Sequence, residues 1–358
     1  MAHNLAQTKN GQYMTAWAGD TPWHGLGTQA EALMTATEAL KLGNLDWTVE
    51  KRPLYNRTEL GEVEVVENTY GVFRKQINED GSHSWIALNR GTAVGRVWKP
   101  FQNIEAMDFL DELVQTQEAK IEVVGALGKG EKVWVLAKLP DSILINGVDK
   151  VDQYILIVNS HDGSGSLKIF LTPIRVVCNN TLTMALRGRQ GGYNIRHTGK
   201  LHDRLEQARE VLGIVNKDFL AWGEMAQSLV EVKLTEDEME SYFIDVLNLT
   251  VCDEEFLLNE DGTIKLNKDG SPRRSNKGKR AQGMLNTLKG LLGNEKNTLN
   301  GMEGTAWAAY NALTEAVDHN FTRLANGKVS TKRMESALFG TYSRTKQKAF
   351  VKALELTV

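Results

Sequence analysis

From Trp47 onward the chain alternates between apolar and polar positions. Trp47-Thr48-Val49-Glu50-Lys51-Arg52 and Val63-Glu64-Val65-Val66-Glu67 have the two-residue period of strands with one covered face. Tyr70 to Lys75 continues in kind. The stretch Asn78-Glu79-Asp80-Gly81 predicts a turn, and Ser84 to Asn89 the returning strand of a hairpin. Gly91 to Val97 is expected to form another strand. Pro100 to Asn103 then breaks the sheet. Asn103 is a cap for a helix from Ile104 to about Thr116, with Met107, Leu110, Leu113 and Val114 on one face. Two more strands, Ile121 to Leu127 and Lys132 to Leu139, flank Gly128-Lys129-Gly130. A longer hairpin, Gln153 to Asn159 and Ser166 to Leu171, closes through His161-Asp162-Gly163-Ser164-Gly165.

After Cys178 the strand period ends. Asn179 or Asn180 is expected to cap a helix to about Arg187. His202 to Leu229 is helical, with Leu205, Ala208, Leu212, Val215, Phe219, Trp222, Ala226 and Leu229 in a heptad seam usable within one chain or between subunits. Thr235 and Glu238 form a capping box for a helix to about Leu249. A mobile polar loop follows near residues 259–280, then helices from Thr305 to Leu324 and Thr331 to Leu356. Before Trp47 only a turn from Gly19 to Gly27, with Trp23 as anchor, and a short helix from Thr35 to Leu42 are legible. The pattern predicts an α+β protein, a mainly antiparallel sheet with packed helices followed by a helical C-terminal region. The expected division is a β-rich core at 1–200 and a helical region at 201–358.

Composition narrows the class. In 358 residues, 41% are hydrophobic and 24% charged, which suits a globular fold. No apolar run approaches the roughly 20 residues of a membrane span. The first residues lack the basic start and apolar core of a signal peptide. Two cysteines, Cys178 and Cys252, exclude a disulfide scaffold and a four-cysteine zinc site, and a reducing cytoplasm is the expected home.

Charge is unevenly spread. The net value of −3 conceals a balance of −13 over residues 1–261 and +10 over residues 262–358. Inside the acidic part lies a basic island. From Gly163 to Lys200 there are six basic side chains, Lys168, Arg175, Arg187, Arg189, Arg196 and Lys200, and neither Asp nor Glu. Asn179, Asn180 and Thr181 add polar groups, and Gly188 to Gly192 lets backbone approach a ligand. Cations neutralise phosphates, while amides and hydroxyls hydrogen-bond phosphate oxygens. The island therefore fits a polyanion, and a solvated basic surface is the plain alternative. Tyr310, Phe339 and Tyr342, beside the basic tail, are candidates for stacking on bases.

Catalytic chemistry has less support. His161, Asp162, His197 and His202 lack compact metal-ligand spacing. Cys178 with His197 suggests a nucleophile and base, but Cys178 ends the apolar run Ile174 to Val177 and reads as a buried hydrophobe. His161 reads as hydrogen-bonded within its turn. No catalytic residue, metal or cofactor is expected.

Several segments together resemble a known family. They are Thr21-Pro22-Trp23-His24-Gly25-Leu26-Gly27, Asn159-Ser160-His161-Asp162-Gly163-Ser164, Thr172 to Leu182, Ile195-Arg196-His197-Thr198 and Thr305 to Glu315. The resemblance is to the phage- and plasmid-borne family called domain of unknown function nine-three-two, and it covers nearly the whole chain. It implies a setting among DNA-metabolism and anti-defence genes of mobile elements in a bacterial cytoplasm. It also suggests an architecture similar to single-strand annealing recombinases, though fold does not fix function.

The expectation is a non-enzymatic protein that binds or anneals single-stranded DNA as a homo-oligomer, away from membranes. Lys168, Arg175, Asn179, Asn180, Thr181, Arg187, Arg189, Arg196 and Lys200 would hold the strand. The rivals are an anti-defence protein that binds a host partner, and an enzyme acting on nucleotides or nucleic acids around His161, Asp162, Cys178 and His197.

Overall fold

The structure is a computed structural model. It describes residues 5–19, 25–32, 34–77, 80–89, 91–115, 119–175, 180–181, 192–198, 219–249, 256–257, 259–273, 276–295, 297–321, 336 and 340–357. The chain divides into two compact units. The first comprises residues 1–142, 152–174 and 186–220, and the second residues 143–151, 175–185 and 221–358.

In the first unit the main sheet is built from β1 (Thr15–Trp17), β2 (Thr28–Gln29), β6 (Lys120–Leu127), β7 (Lys132–Ile145), β8 (Asp149–Ser160) and β9 (Leu167–Arg175). Their order is β9-β8-β7-β6-β1-β2, and β11 (Gly192–Ile195) pairs with β9. Pairing is antiparallel at β1–β6, β6–β7 and β9–β11, while β2 lies parallel to β1. Val124, Val135, Ile155 and Ile157 are buried in its centre.

The helix α1 (Ala36–Leu42) opens with the expected capping box. Thr35 Oγ1 accepts the Glu38 amide at 3.3 Å, and Glu38 Oε2 accepts the Thr35 amide at 2.9 Å. The second helix, α2 (Asn103–Gln115), packs on α1 and β6 and buries Met107 and Leu110. It begins one residue earlier than the pattern predicts. Glu105 Oε2 accepts the Gln102 amide, which frees the Asn103 side chain for contacts elsewhere.

A second sheet contains β3 (Val49–Arg57), β4 (Val63–Ile77) and β5 (His83–Ala87), all antiparallel. Its inner end has its own core of Val49, Val72, Leu88 and Val94 with Trp47, Tyr70 and Trp98. Its outer end is a ribbon, and residues 61–68 are exposed along their whole length. The two alternating segments 63–67 and 70–75 are thus one continuous strand. The strand expected at Gly91 to Val97 is instead a single bridge between Val94 and Tyr70. The Gly19–Gly27 turn and its Trp23 anchor fall partly outside the described residues.

The second unit is helical. Residues 219–231 are helical (α3), and those from Ala221 onward belong here, followed by α4 (Glu236–Leu247), α5 (Asn276–Leu292), α6 (Ala306–Glu315) and α7 (Thr341–Glu355). The α4 capping box of Thr235 and Glu238 is present. From Ala306 to Thr314 every residue of α6 is buried, so α6 is the central helix. Trp222 packs on Trp307 and on Phe350, with ring centroids 6.2 and 5.7 Å apart. At this end the heptad seam serves packing within one chain; its positions 205–215 lie outside the described residues. After α6 the chain enters one π-helical turn, Ala316–Asn320.

The polar stretch before α5 is ordered as a small meander. Asn259 to Thr263 and Asn267 to Ser271 form two turns of the same design, and Arg273, Lys265 and Leu257 exchange backbone hydrogen bonds.

Candidate functional site

The motif Asn159 to Ser164 lies at the end of β8, which is buried from Val151 to Ser160. Asp162 folds the tip. Its Oδ1 accepts the Ser164 amide at 3.0 Å and the Ser164 hydroxyl at 2.6 Å. The His161 amide donates to Glu131 O, Thr92 Oγ1 donates to Asp162 O, and Asn159 Nδ2 donates to Phe101 O. These bonds hold the tip from three segments distant in sequence.

Two histidines sit behind it. His161 is fully buried, and its Nε2 is 2.8 Å from Asn103 Oδ1. Because Asn103 Nδ2 donates to Leu45 O, its Oδ1 is the accepting side, and His161 carries its proton on Nε2. The expected hydrogen bond within the turn is thus replaced by one to a residue 58 positions away. Trp47 presents its ring to His161 edge-on at 5.5 Å. His197 follows β11, stacks between Trp98 and Phe101 at 4.9 and 4.7 Å, and donates from Nδ1 to Lys99 O.

Burial, reinforced by the neighbouring His197, pushes the His161 pKa down to about 3. Burial lowers His197 as well, while the Lys99 carbonyl and Asp162 oppose that shift. Both rings are neutral near pH 7. Among the described residues, His161 Nδ1 and His197 Nε2 have no hydrogen-bond partner. Among the described residues no group of three His, Cys, Asp or Glu side chains could hold a metal. Cys178, the imagined nucleophile, lies outside the described residues. The cluster's chemistry is that of a neutral polar core that locks β8, α2 and the segment after β11 together.

The basic island is partly described. Lys168 is half-buried on β9 and lies directly opposite Asn194 of β11. Arg196, exposed, follows two residues after Asn194. Strand alternation puts Lys168 and Asn194 on one face and the buried Leu167, Ile169 and Ile195 on the other, and continuing it one residue past each strand brings Ser166 and Arg196 to the face of Lys168. Two cations 28 residues apart thereby share a sheet face. Arg175 closes β9. Asn180 and Thr181 form the short strand β10, so Asn180 is extended and is not the predicted helix cap. An extended backbone enters a ladder and leaves no helix amide there to cap. Asn179, Arg187, Arg189 and Lys200 lie outside the described residues.

The tail departs from expectation at several residues. Tyr310 is fully buried against Phe350 and Trp307, which removes it from any stacking surface. Tyr342 is half-buried and donates to Phe321 O, and Phe339 lies outside the described residues. Lys346 is fully buried in an ion pair with Asp318 at 2.8 Å. Lys348 caps the end of α4 through Asp245 O, Val246 O and Asn248 Oδ1. These lysines serve the fold. Lys268, Arg273 and Arg280 are exposed.

Sequence reasoning left Trp47, Trp98, Phe101 and Asn103 outside the site. The available signal was three aromatic residues and an amide flanking predicted element ends.

The fold and this buried motif define an α+β protein. The chain belongs to the family described as Domain of unknown function (DUF932), which matches residues 92–347. No curated protein and no solved structure matches it. No helix among the described residues is long and apolar enough to cross a membrane.

Proposed function

We propose that this chain is a single-stranded-DNA-binding or annealing protein of a bacteriophage or plasmid. It acts in the cytoplasm of the bacterial host, as a homo-oligomer and without catalysis of its own. One observation carries the reading. Lys168 and Arg196, from opposite ends of an island without acidic residues, share a sheet face with Ser166 and Asn194. Cross-strand neighbours lie about 5 Å apart and diagonal ones about 7–8 Å, close enough for such cations to engage one backbone together. Arg187, Arg189 and Lys200 would extend the contact.

Fluorescence anisotropy with a labelled oligonucleotide tests it. The logarithm of the affinity should fall with the logarithm of salt by about 0.7 per neutralised phosphate. Replacing Lys168 and Arg196 with Ala should flatten that slope by about 1.4. Absence of binding at low salt would sink the reading.

A second reading, contact with a host protein, has its own observation. The outer ribbon of β3 and β4 exposes Tyr55, Leu60, Val63 and Val65 beside Glu59, Glu62, Glu64 and Glu67. Exposed apolar groups on a ribbon favour association. Pull-down from a nuclease-treated lysate, with and without residues 56–66, tests it. Capture unaffected by the deletion removes the ribbon from consideration.

A further inference from the structure

The ribbon at the outer end of the second sheet has a free side. β5 pairs only with residues 73–77 of β4, so among the described residues the β4 edge from Val63 to Thr69 has no strand against it. A free edge beside apolar side chains is a site for strand addition. The register sets Tyr55 opposite Val65 and Arg57 opposite Val63, so Tyr55, Val63 and Val65 share one face. These three, and Leu60 at the tip, are each more than half exposed. Around them stand Glu59, Glu62, Glu64 and Glu67, all exposed, against the single cation Arg57, a balance of −3.

The polar meander of the second unit carries the opposite charge. Ile264 and Leu266 are exposed and, two residues apart on an extended segment, share a face. Lys265, Lys268 and Arg273 are exposed around them. Over residues 259–280 seven cations stand against the carboxylates Glu260, Asp261 and Asp269, a balance of +4. Asp261 and Asp269 are already engaged by the hydroxyls of Thr263 and Ser271. Among the described residues, none of the four ribbon glutamates and none of Lys265, Lys268 and Arg273 forms an ion pair. Ribbon against ribbon, or meander against meander, would bring like charges together, which is costly. Ribbon against meander is the pairing in which apolar groups and charges both match.

We propose that the acidic ribbon of one copy docks on the basic meander of a second copy of this chain. Tyr55, Val63 and Val65 cover Ile264 and Leu266, and the ribbon glutamates meet Lys265, Lys268 and Arg273. The contact joins unlike surfaces. A copy therefore holds one neighbour by its ribbon and receives another, or the same one, at its meander. The inference rests on the homo-oligomer of the first reading and not on its DNA contact.

Sedimentation equilibrium of the full chain, without nucleic acid, tests the assignment. The wild type should self-associate, and less so as salt rises, because salt screens exposed charges. Glu62→Lys, Glu64→Lys and Glu67→Lys together should weaken self-association by about tenfold or more, and so should Lys265→Glu, Lys268→Glu and Arg273→Glu together. An equal mixture of the two variants should recover it, since each reversed surface then meets its complement. Lys168→Ala with Arg196→Ala should leave it unchanged. A monomeric wild type would overturn the proposal. So would full association of either reversed variant alone, or a mixture that stays dissociated. If the ribbon variant does not fold, Val63→Ser with Val65→Ser is the second variant, and unchanged association in it would overturn the proposal. A monomer that captures a host protein through the ribbon would overturn it in favour of the second reading. Absence of oligonucleotide binding by a chain that assembles in this way would sink the DNA contact alone.

Discussion

One turn design appears in two very different settings. Asp162-Gly163-Ser164 and Asp261-Gly262-Thr263 both close through the aspartate, which accepts the backbone amide at 3.0 Å and the hydroxyl at 2.6 Å. Both glycines have positive φ, 75° and 82°. Asp162 is buried, and its turn is bonded to Thr92 and adjoins the His161 core; Asp261 stands in solvent on the polar meander. Asp80 and Asp269 repeat the exposed version. The comparison teaches that local chemistry fixes the turn, whereas the surroundings decide what the turn holds. A three-residue pattern specifies its own hydrogen bonds and says nothing of its burial.

The largest expected contrast is in acid. An unfolded imidazole titrates near 6.5, and His161 in the fold near 3. Between these values the unfolded chain binds more protons, so stability is full above about pH 6.5 and falls as pH drops, by about 1.4 kcal/mol per pH unit for this group. The exposed aspartates act in a lower window. Hydrogen bonds from Thr263 and Ser271 hold Asp261 and Asp269 below the ordinary carboxylate pKa, so their contribution is present above about pH 4 and is lost only as pH falls through the lowered values. Denaturant midpoints from pH 7 to 4 should decline in the wild type. His161→Gln should flatten the decline; an unchanged slope would show that other groups cause it.

Next in size is the glycine pair. A Cβ on Gly163 would lie 2.7 Å from Val94 Cγ1, whereas one on Gly262 would meet nothing within 4 Å. Both alanine variants carry the left-handed backbone cost of about 1–2 kcal/mol, and Gly163→Ala adds overpacking of about 1–3 kcal/mol. Equal losses in urea titrations would erase the distinction between the two settings.

The aspartates themselves give the smallest effect. Asp162→Ala removes two hydrogen bonds in a buried turn and should cost about 1–2 kcal/mol. Asp261→Ala, whose bonds compete with water, should lower the thermal midpoint by clearly less. A comparable drop from Asp261→Ala would assign the meander a structural role that its exposure does not suggest.

The features legible in the sequence were local ones. Thr35 with Glu38 and Thr235 with Glu238 announce helix starts because the two reciprocal bonds need only a three-residue spacing. The α+β class and the hairpins follow from periods and turn residues. What escaped depends on distant partners. β11 carries too few residues for a period, and it is a strand because β9 offers it a ladder. Residues 63–77 read as two segments, since Asn68 adopts φ of 55° between them, yet the strand continues through it. In the candidate site the basic island was visible as composition, but the shared face of Lys168 and Arg196 needs the β9–β11 register. Arg74 left no signal, because an arginine in an alternating strand looks solvent-facing until distant groups, here the Trp47 ring and the Lys129 carbonyl, meet it.

The continuous strand β4 has one more consequence. Its inner half is held by the Val49 and Val72 core, while residues 63–68 are exposed and rely on the β3 ladder alone. Amide hydrogen exchange along this single strand should therefore step from protected to fast within a few residues. That step is an internal gauge. A partner seated on the ribbon would slow only the outer amides, and global unfolding would release both halves together.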